Sequence, residues 1–445
     1  MPQQGLQQRT SWPPVVTNER GHLVIGGADA MDLVERFGTP LYVLDEQAVR
    51  VRCRAYREAM GGAGVIAYAA KALCTQAVLR IVDQEGLWLD LVSGGELHTA
   101  LAAGFPPERV LLHGNNKSDE ELRLAVETGV GRVVVDNFHE LERLAAMARR
   151  FGRRVRVLLR VAPGVEAHTH EFIRTGQQES KFGFDLATGQ ALEALEHTLA
   201  EPYLEWYGFH CHIGSQILAV EPWEQAARIM MDLAAVAHQR TGQVMRELDL
   251  GGGLGIRYVP GDEPPSIEET VRRIRAAGGG GGGGARPPVP GRIRGPGRSI
   301  VGEAGVTLYT VGSVKRVRGI PAYVAVDGGM ADNPRYALYR ALYSAVLANR
   351  PLEEPRERVC LVGRYCESGD IVIPELDLPV VEPGDVVAVF STGAYNYSMS
   401  SQYNRFPRPA MVLVRDGEAE IIVERETYED LLRHDRIPPS LQSNE

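Results

Sequence analysis

Short apolar runs alternate with stretches of helical spacing up to about residue 300. Apolar runs of about four to eight residues that end in Gly, Ser or Asn are typical of buried strands. We interpret as strands residues 65–70, 88–92, 110–112, 132–135, 155–161, 204–212 and 246–250, and as helices 75–85, 96–103, 119–127, 139–150 and 223–239. About eight such units predict an α/β fold with a (β/α)8, TIM-like barrel.

The pattern changes after residue 305. Segments 306–311 and 322–327 have the apolar pattern of strands, separated by Gly and Pro turns and with few helices between them. The isolated segment 41–44 has the same strand pattern. We therefore predict a mainly antiparallel β domain in addition to the barrel. The predicted division is 1–44 as an N-terminal segment of the β domain, 45–305 as the barrel, and 306–445 as the C-terminal β domain.

Composition and charge narrow the functional classes. The net charge of −9 argues against a nucleic-acid-binding surface, and no apolar run is long enough to cross a membrane. The five cysteines are odd in number, scattered and without CxxC spacing, so we expect neither a disulfide framework nor a zinc site. Together with an N-terminus that lacks an apolar signal core, this predicts a cytoplasmic protein.

Lys71 ends the first apolar run. A buried amine at the end of a barrel strand would have a lowered pKa and act as a nucleophile, although a strand-end lysine can also extend its amine to water. Gly251–Gly255 follows the strand predicted at 246–250, where consecutive glycines form either a phosphate cradle or a plain turn. A reactive lysine together with a phosphate site suggests pyridoxal phosphate.

His212 ends another predicted strand, where an imidazole can stack on a flat cofactor and Ser215 can bind its phosphate. His210 lies on the same strand face in an alternating pattern, so a metal pair is a rival interpretation. We expect no metal, because no nearby carboxylate or cysteine completes a ligand set.

The motifs together resemble a known family. Four motifs resemble those of fold-type III (alanine racemase-like) pyridoxal-phosphate decarboxylases: Tyr68–Lys71, Ser93–Glu96, His210–Gln216 and Gly251–Gly255. Five further motifs resemble those of the diaminopimelate decarboxylases within that family: 327–330, 332–335, 366–370, 393–395 and 398–401. The resemblance extends from about residue 38 to about residue 408. It implies decarboxylation of meso-2,6-diaminopimelate to L-lysine, the last step of lysine biosynthesis, by a homodimer with active sites at the subunit interface.

The resemblance also implies residue roles. Lys71 would hold the cofactor covalently, and Cys366 of the partner subunit would protonate the substrate carbon. The remaining cofactor-binding residues would be His212, Ser215, Gly252, Gly253, Gly295, Pro296, Gly297, Arg298 and Tyr395. The substrate-binding residues would be Arg298, Arg335, Tyr339, Glu367 and Tyr395.

Residues 278–295 depart from the family pattern. Seven glycines and a Pro-rich stretch occupy the place of a helix end and the eighth barrel strand, and such sequence is expected to form neither. Gly295 stands where the family has a glutamate that binds the pyridine nitrogen, so Gly295→Glu is expected to raise activity. The segment is either genuine or the product of a compensated reading-frame error, which the abrupt return of family-like sequence at Pro296 favours.

Two functional alternatives stay open beside this one. The chain could decarboxylate a related basic substrate such as ornithine, arginine or carboxynorspermidine, which the pairing of Arg335 with Glu367 disfavours. The absence of a glutamate at Gly295 instead motivates a catalytically weakened cofactor-binding protein.

Overall fold

A computed structural model describes residues 7–9, 12–62, 64–165, 181–279 and 291–442. The chain divides into two compact units. The barrel unit comprises residues 48–257 and 261–303, and the β unit comprises residues 1–47, 258–260 and 304–445. Within the described residues, no helix combines the length and apolarity needed to cross a membrane.

The secondary structure follows chain order. The strands are β1 Gln7–Arg9, β2 Val15–Thr17, β3 Val24–Ile25, β4 Ala28–Asp29, β5 Leu41–Asp45, β6 Gly64–Ala69, β7 Trp88–Leu91, β8 Val110–Leu112, β9 Arg132–Val135, β10 Val155–Ala162, β11 Phe184–Asp185, β12 Leu204–His210, β13 Glu247–Asp249, β14 Gly291–Arg294, β15 Gly305–Lys315, β16 Ala322–Val326, β17 Ala345–Leu347, β18 Glu357–Val362, β19 Ile371–Leu378, β20 Val386–Phe390, β21 Ala410–Arg415 and β22 Glu418–Val423. The α-helices are α1 Ala30–Phe37, α2 Glu46–Met60, α3 Gln76–Gln84, α4 Gly94–Ala102, α5 Asp119–Thr128, α6 Phe138–Phe151, α7 Gln190–Ala200, α8 Glu221–Thr241, α9 Ile267–Gly279, α10 Arg298–Val301, α11 Arg335–Tyr339 and α12 Tyr428–Leu432.

Eight parallel strands form a closed barrel, as the sequence predicted. They run in the order β6, β7, β8, β9, β10, β12, β13, β14, and β14 pairs with β6 to close the ring. One apolar side chain from each of five strands fills the interior: Ala67, Leu111, Val134, Leu158 and Ile293. Because this interior is packed, the strand ends are left as the place for polar chemistry.

Four of the barrel helices, α3 to α6, begin at side-chain caps that the sequence supplies. Thr75, Ser93, Ser118 and Asn137 each accept a hydrogen bond from a backbone N–H in the first turn of the helix that follows. Such a cap satisfies a donor that has no partner inside the helix and contributes about 1 kcal/mol. These caps fix where each strand-to-helix turn ends, and so position the turns around the barrel mouth.

The prediction for residues 278–295 is wrong within the described part of the segment. Helix α9 continues to Gly279, and Gly291–Arg294 forms the eighth strand with β13 on one side and β6 on the other. The close approach requires a glycine at position 64, where a Cβ would collide with the Arg292 carbonyl oxygen. Backbone hydrogen bonds to β13 and β6 therefore outweigh the poor strand propensity of residues 291–294. Residues 280–290 lie outside the described residues.

The β unit is built on a mainly antiparallel sheet in the order β19, β18, β16, β15, β5, β21, β22, with β20 pairing β15 and β17. The N-terminal β5 lies inside this sheet, antiparallel to β15 and parallel to β21. Leu41 and Val43 of β5 pack in the same core as Leu308 of β15 and Val412 of β21. The predicted mainly antiparallel β sheet is thus confirmed, and strands from both the N-terminal and the C-terminal part of the chain form it.

Arg294 generates a stability prediction. It is 4% exposed, donates from Nη1 to the Leu250 carbonyl oxygen at 3.3 Å, and has no partner for Nε among the described residues. A buried cation with incomplete hydrogen bonding costs stability, so Arg294→Met should raise the free energy of unfolding by about 1–3 kcal/mol. Urea unfolding of the protein measures this. The half-exposed Arg292→Met is the control and should stay within about 1 kcal/mol; equal destabilisation by both would contradict the argument.

Candidate active site

Lys71 lies just after β6 rather than within it. The strand ends at Ala69, and Lys71 is the middle residue of a 3-10 turn over Ala70–Ala72. Its side chain is exposed, so the expectation of a buried amine is wrong. Because the strand ends before Lys71, the amine does not lie among the side chains packed inside the barrel. The charge of Lys71 nevertheless acts on the mouth, because it lowers the pKa of the neighbouring Asp90 against the effect of burial.

The glycines after β13 fit tightly against two other strand ends. A Cβ on Gly252 would collide with the Gly295 carbonyl oxygen, and one on Gly253 with the Gly214 carbonyl oxygen. A Cβ on Gly251 would lie 2.7 Å from Nδ1 of His212, which follows the end of β12 by two residues. Since only glycine fits here, the backbone itself forms a cradle beside the imidazole.

Residues 295–298 pack on the turn that carries Lys71. The Ala69 N–H donates to the Pro296 carbonyl oxygen at 3.0 Å, and a Cβ on Gly297 would lie 2.8 Å from the Ala69 carbonyl oxygen. Arg298 is buried and donates from Nη2 to Oγ of Ser215 at 2.9 Å. The structure thus brings together predicted cofactor residues from four strand ends, those of β6, β12, β13 and β14.

This donor set fits pyridoxal phosphate. An accessible amine is available to an aldehyde, a flat imidazole can lie against a ring, and a guanidinium with a hydroxyl can bind a phosphate. A glycine cradle where no side chain fits leaves room for the phosphate oxygens to approach the backbone. The barrel residues therefore have the chemistry that the cofactor requires.

Sequence reasoning missed the carboxyls of this mouth. Burial raises the pKa of Asp90 to about 6, and the pKa values of Glu96 and Asp249 to about 7. A signal was present in the sequence: Asp90 and Asp249 each stand between two leucines near the C-terminal end of an apolar run. A polar residue in that setting faces the barrel mouth or is buried at a cost.

His210 belongs to a buried cluster. Ligand atoms of His113, His210 and Asp249 lie within 4.8 Å of one another, so the sequence argument that no carboxylate lies near His210 is wrong. Burial lowers the pKa of both imidazoles well below the ordinary value, which keeps them neutral. The 4.0 Å between His210 Nε2 and Asp249 Oδ2 exceeds the separation of about 3.3 Å that tetrahedral zinc bonds would impose.

The β unit holds Arg335 in an aromatic setting. Its guanidinium carbon lies 4.6 Å from the ring centroid of Tyr258, and Nη1 donates to the Tyr343 hydroxyl at 2.7 Å. Arg335 is 5% exposed, and its Nε has no hydrogen-bond partner among the described residues. Tyr395 lies near Arg335, and Tyr339 ends the same short helix. Such a cation with spare donors suits a carboxylate ligand.

Cys366 and Glu367 lie on a separate, exposed loop of the β unit, between β18 and β19. The Cys366 N–H donates to Oδ1 of Asn404 at 2.8 Å. Asp370 fixes the loop by accepting N–H bonds from Tyr365 and Met330, both at 2.7 Å. The loop is thereby tied to the segment that leads to Arg335.

The chain is similar to known pyridoxal-dependent decarboxylases. Residues 46–302 match the family model of the pyridoxal-dependent decarboxylase, pyridoxal binding domain. The chain is 50% identical to diaminopimelate decarboxylase of Bacillus subtilis over 94% of this chain and 96% of that protein, and 47% identical to that of Bacillus methanolicus over 92% and 95%. A crystal structure of diaminopimelate decarboxylase from M. jannaschii in complex with L-lysine has a TM-score of 0.88 at 32% identity, covering 99% of both chains.

Asp249 generates a pH prediction. Burial raises the pKa of the Asp249 carboxyl to about 7 in the folded chain, whereas in the unfolded chain its pKa is about 4. The folded state binds more protons between these values, so the stability that Asp249 contributes falls as pH rises and stays low above about pH 7. Asp249→Asn cannot ionise and should gain about 2–3 kcal/mol over the parent between about pH 5 and pH 8.

Urea unfolding at the two pH values measures this difference. Asp119→Asn is the matched control, since the Asp119 side chain is 76% exposed. Its effect should be the same at both pH values. A difference between parent and Asp249→Asn that does not change with pH would contradict the prediction.

Proposed function

This chain belongs to the diaminopimelate decarboxylases, and from that membership we propose that it removes carbon dioxide from meso-2,6-diaminopimelate and releases L-lysine, the last step of lysine biosynthesis. Pyridoxal phosphate supplies the electron sink for the reaction. The observation that carries the substrate assignment is Arg335, a buried guanidinium with a free donor in the described structure. A substrate with a second amino acid end can offer that donor a carboxylate.

The barrel residues hold the cofactor in this proposal. Lys71 would hold it covalently through its amine. Arg298 and Ser215, already hydrogen-bonded to each other, bind the phosphate, and His212 lies against the ring. The other cofactor residues we assign are Gly252, Gly253, Gly295, Pro296, Gly297 and Tyr395.

The β unit recognises the distal end of the substrate. Arg335 binds the distal carboxylate, together with Arg298, while Glu367 binds the distal ammonium. Tyr339 and Tyr395 donate hydrogen bonds to carboxylate or phosphate oxygens. Ornithine has no distal carboxylate, so Arg335 separates the two substrates by charge.

We also propose a homodimer with shared active sites. The bond to the departing carboxylate breaks, and the thiol of Cys366 of the partner subunit delivers the proton that takes its place. Exposure of Cys366 and Glu367 within one chain supports this assignment, because both side chains are available to a second subunit. Their exposure also lets solvent return the proton to the thiol. Five free cysteines support a cytoplasmic location.

The substrate assignment predicts a selective loss. Arg335→Lys replaces a planar fork with a point charge, so kcat/KM for meso-diaminopimelate should fall roughly ten- to a hundredfold. The residual rate on ornithine should stay within about twofold of the parent, since ornithine offers no distal carboxylate. A carbon dioxide release assay on the cofactor-loaded enzyme measures both.

Arg340→Lys is the matched control for this experiment. Arg340 is exposed, follows the same helix, and should tolerate the change on both substrates. Equal losses on diaminopimelate and ornithine in Arg335→Lys would show that Arg335 supports the fold instead of the substrate.

Sharing of the active site predicts complementation. Lys71→Ala and Cys366→Ala should each be nearly inactive alone. After subunit exchange, half of the dimers are heterodimers with one intact site, so activity should recover to roughly a quarter of the parental value. Mixed samples that remain as inactive as their parents, with exchange verified by mass spectrometry, would place Cys366 in the site of its own chain.

A further inference from the structure

Among the described residues, Asp90, Glu96 and Asp249 lie together at the barrel mouth, and two of these three carboxyls already accept a hydrogen bond. Oε2 of Glu96 accepts the Val92 N–H at 2.7 Å, at the start of helix α4. Oδ1 of Asp249 accepts the Gly251 N–H at 2.8 Å. Asp90 differs: no donor of the described residues lies within hydrogen-bonding distance of its carboxylate, since His113 Nε2 is 3.6 Å from Oδ1.

Asp90 faces the gap that Gly295 leaves. A Cβ on residue 295 would lie 3.2 Å from Oδ2 of Asp90, so the carboxylate stands where a side chain at that position would begin. The Asp90 side chain is 16% exposed, which leaves it open to a ligand. Residues 295–298 continue from this point to Arg298 and Ser215, the phosphate-binding pair of the proposed site.

We infer that Asp90 is the carboxylate that pairs with the ring nitrogen of pyridoxal phosphate in this chain, at the place where Gly295 offers no side chain. The inference rests on the proposed function, because it needs the cofactor in this barrel mouth. Enzymes of this cofactor commonly set a charged partner against the ring nitrogen, since a protonated ring withdraws electrons better. Of the described carboxyls Asp90, Glu96 and Asp249, only that of Asp90 accepts no hydrogen bond, and it lies beside Gly295.

The chemistry of Asp90 suits this task. Burial raises the pKa of its carboxyl to about 6, and the charges of Lys71 and Arg160 oppose that rise. The carboxyl is therefore ionised near neutral pH yet poorly solvated, and it gains from a protonated ring nitrogen as a partner. If Asp90 instead only formed an ion pair with the Lys71 ammonium, it would not affect the protonation of the ring nitrogen.

The inference also changes what Gly295→Glu should do. A glutamate at 295 would bring a second carboxylate next to Asp90, and like charges in one place disfavour each other. Gly295→Glu alone should therefore gain little cofactor affinity. In the Asp90→Asn background, the same glutamate should restore what the asparagine lost.

The test uses the full chain loaded with pyridoxal phosphate that carries a 15N label at the ring nitrogen. The 15N chemical shift reports whether that nitrogen is protonated at pH 7, and equilibrium dialysis gives the affinity. The parent should show a protonated nitrogen. Asp90→Asn should shift the signal toward the unprotonated form and weaken affinity roughly ten- to a hundredfold, whereas Asp90→Asn with Gly295→Glu should return both values toward the parent.

Glu96→Gln is the control, since Glu96 already accepts the Val92 N–H just before helix α4 and its substitution should leave the shift unchanged. If Asp90→Asn fails to fold, Asp90→Ser is measured in the same way. A signal unchanged by Asp90→Asn, in a chain that binds the cofactor and decarboxylates diaminopimelate, overturns the inference alone. A chain that binds no pyridoxal phosphate in any form overturns the proposed function, and the inference with it.

Discussion

Hydrogen bonding between β14 and β6 closes the barrel, and the candidate site depends on that closure. The register sets Ile293 opposite Val65 and Arg294 opposite Ile66. From there the chain runs directly into Pro296, whose carbonyl oxygen accepts the Ala69 N–H beside Lys71. If this ladder failed, the phosphate-binding residues and the amine would be carried on two separate edges. A four-residue strand of poor propensity thus joins the two halves of the site.

Closure also explains the electrostatics of the mouth. Parallel strands point their C-terminal ends in one direction, so their polar residues are gathered into one small, poorly solvated ring. Carboxyls there have raised pKa values, and imidazoles have lowered ones, for the same reason: burial disfavours the charged form of each. The charges of Lys71 and Arg160 oppose the rise at Asp90. Burial therefore sets the charge state of most groups at the mouth.

The sequence predicted the parts that depend on local pattern. Apolar runs located β6 to β10, β12 and β13, whereas the two-residue β11 was missed, and the motifs located the cradle glycines, Arg298 and Arg335. It failed where distant chain segments decide the outcome. Strand β14 forms because neighbours on both sides supply its hydrogen bonds, and the exposure of Lys71 follows from a turn that periodicity does not encode. The partners of His210 come from strands far away in sequence, so their meeting could not be seen along the chain.

The position of β5 has a consequence for biosynthesis. This apolar strand emerges from the ribosome before the barrel, yet Leu41 pairs with Leu308 and Ala410, which are made only after the whole barrel. The barrel can fold as soon as its own residues are complete, because all its strand partners lie within it. Until those residues are made, the apolar residues of β5 have no partners and its edges can pair with other chains. Newly made protein is therefore most exposed to aggregation at β5, and translation speed through the barrel sets the length of that interval.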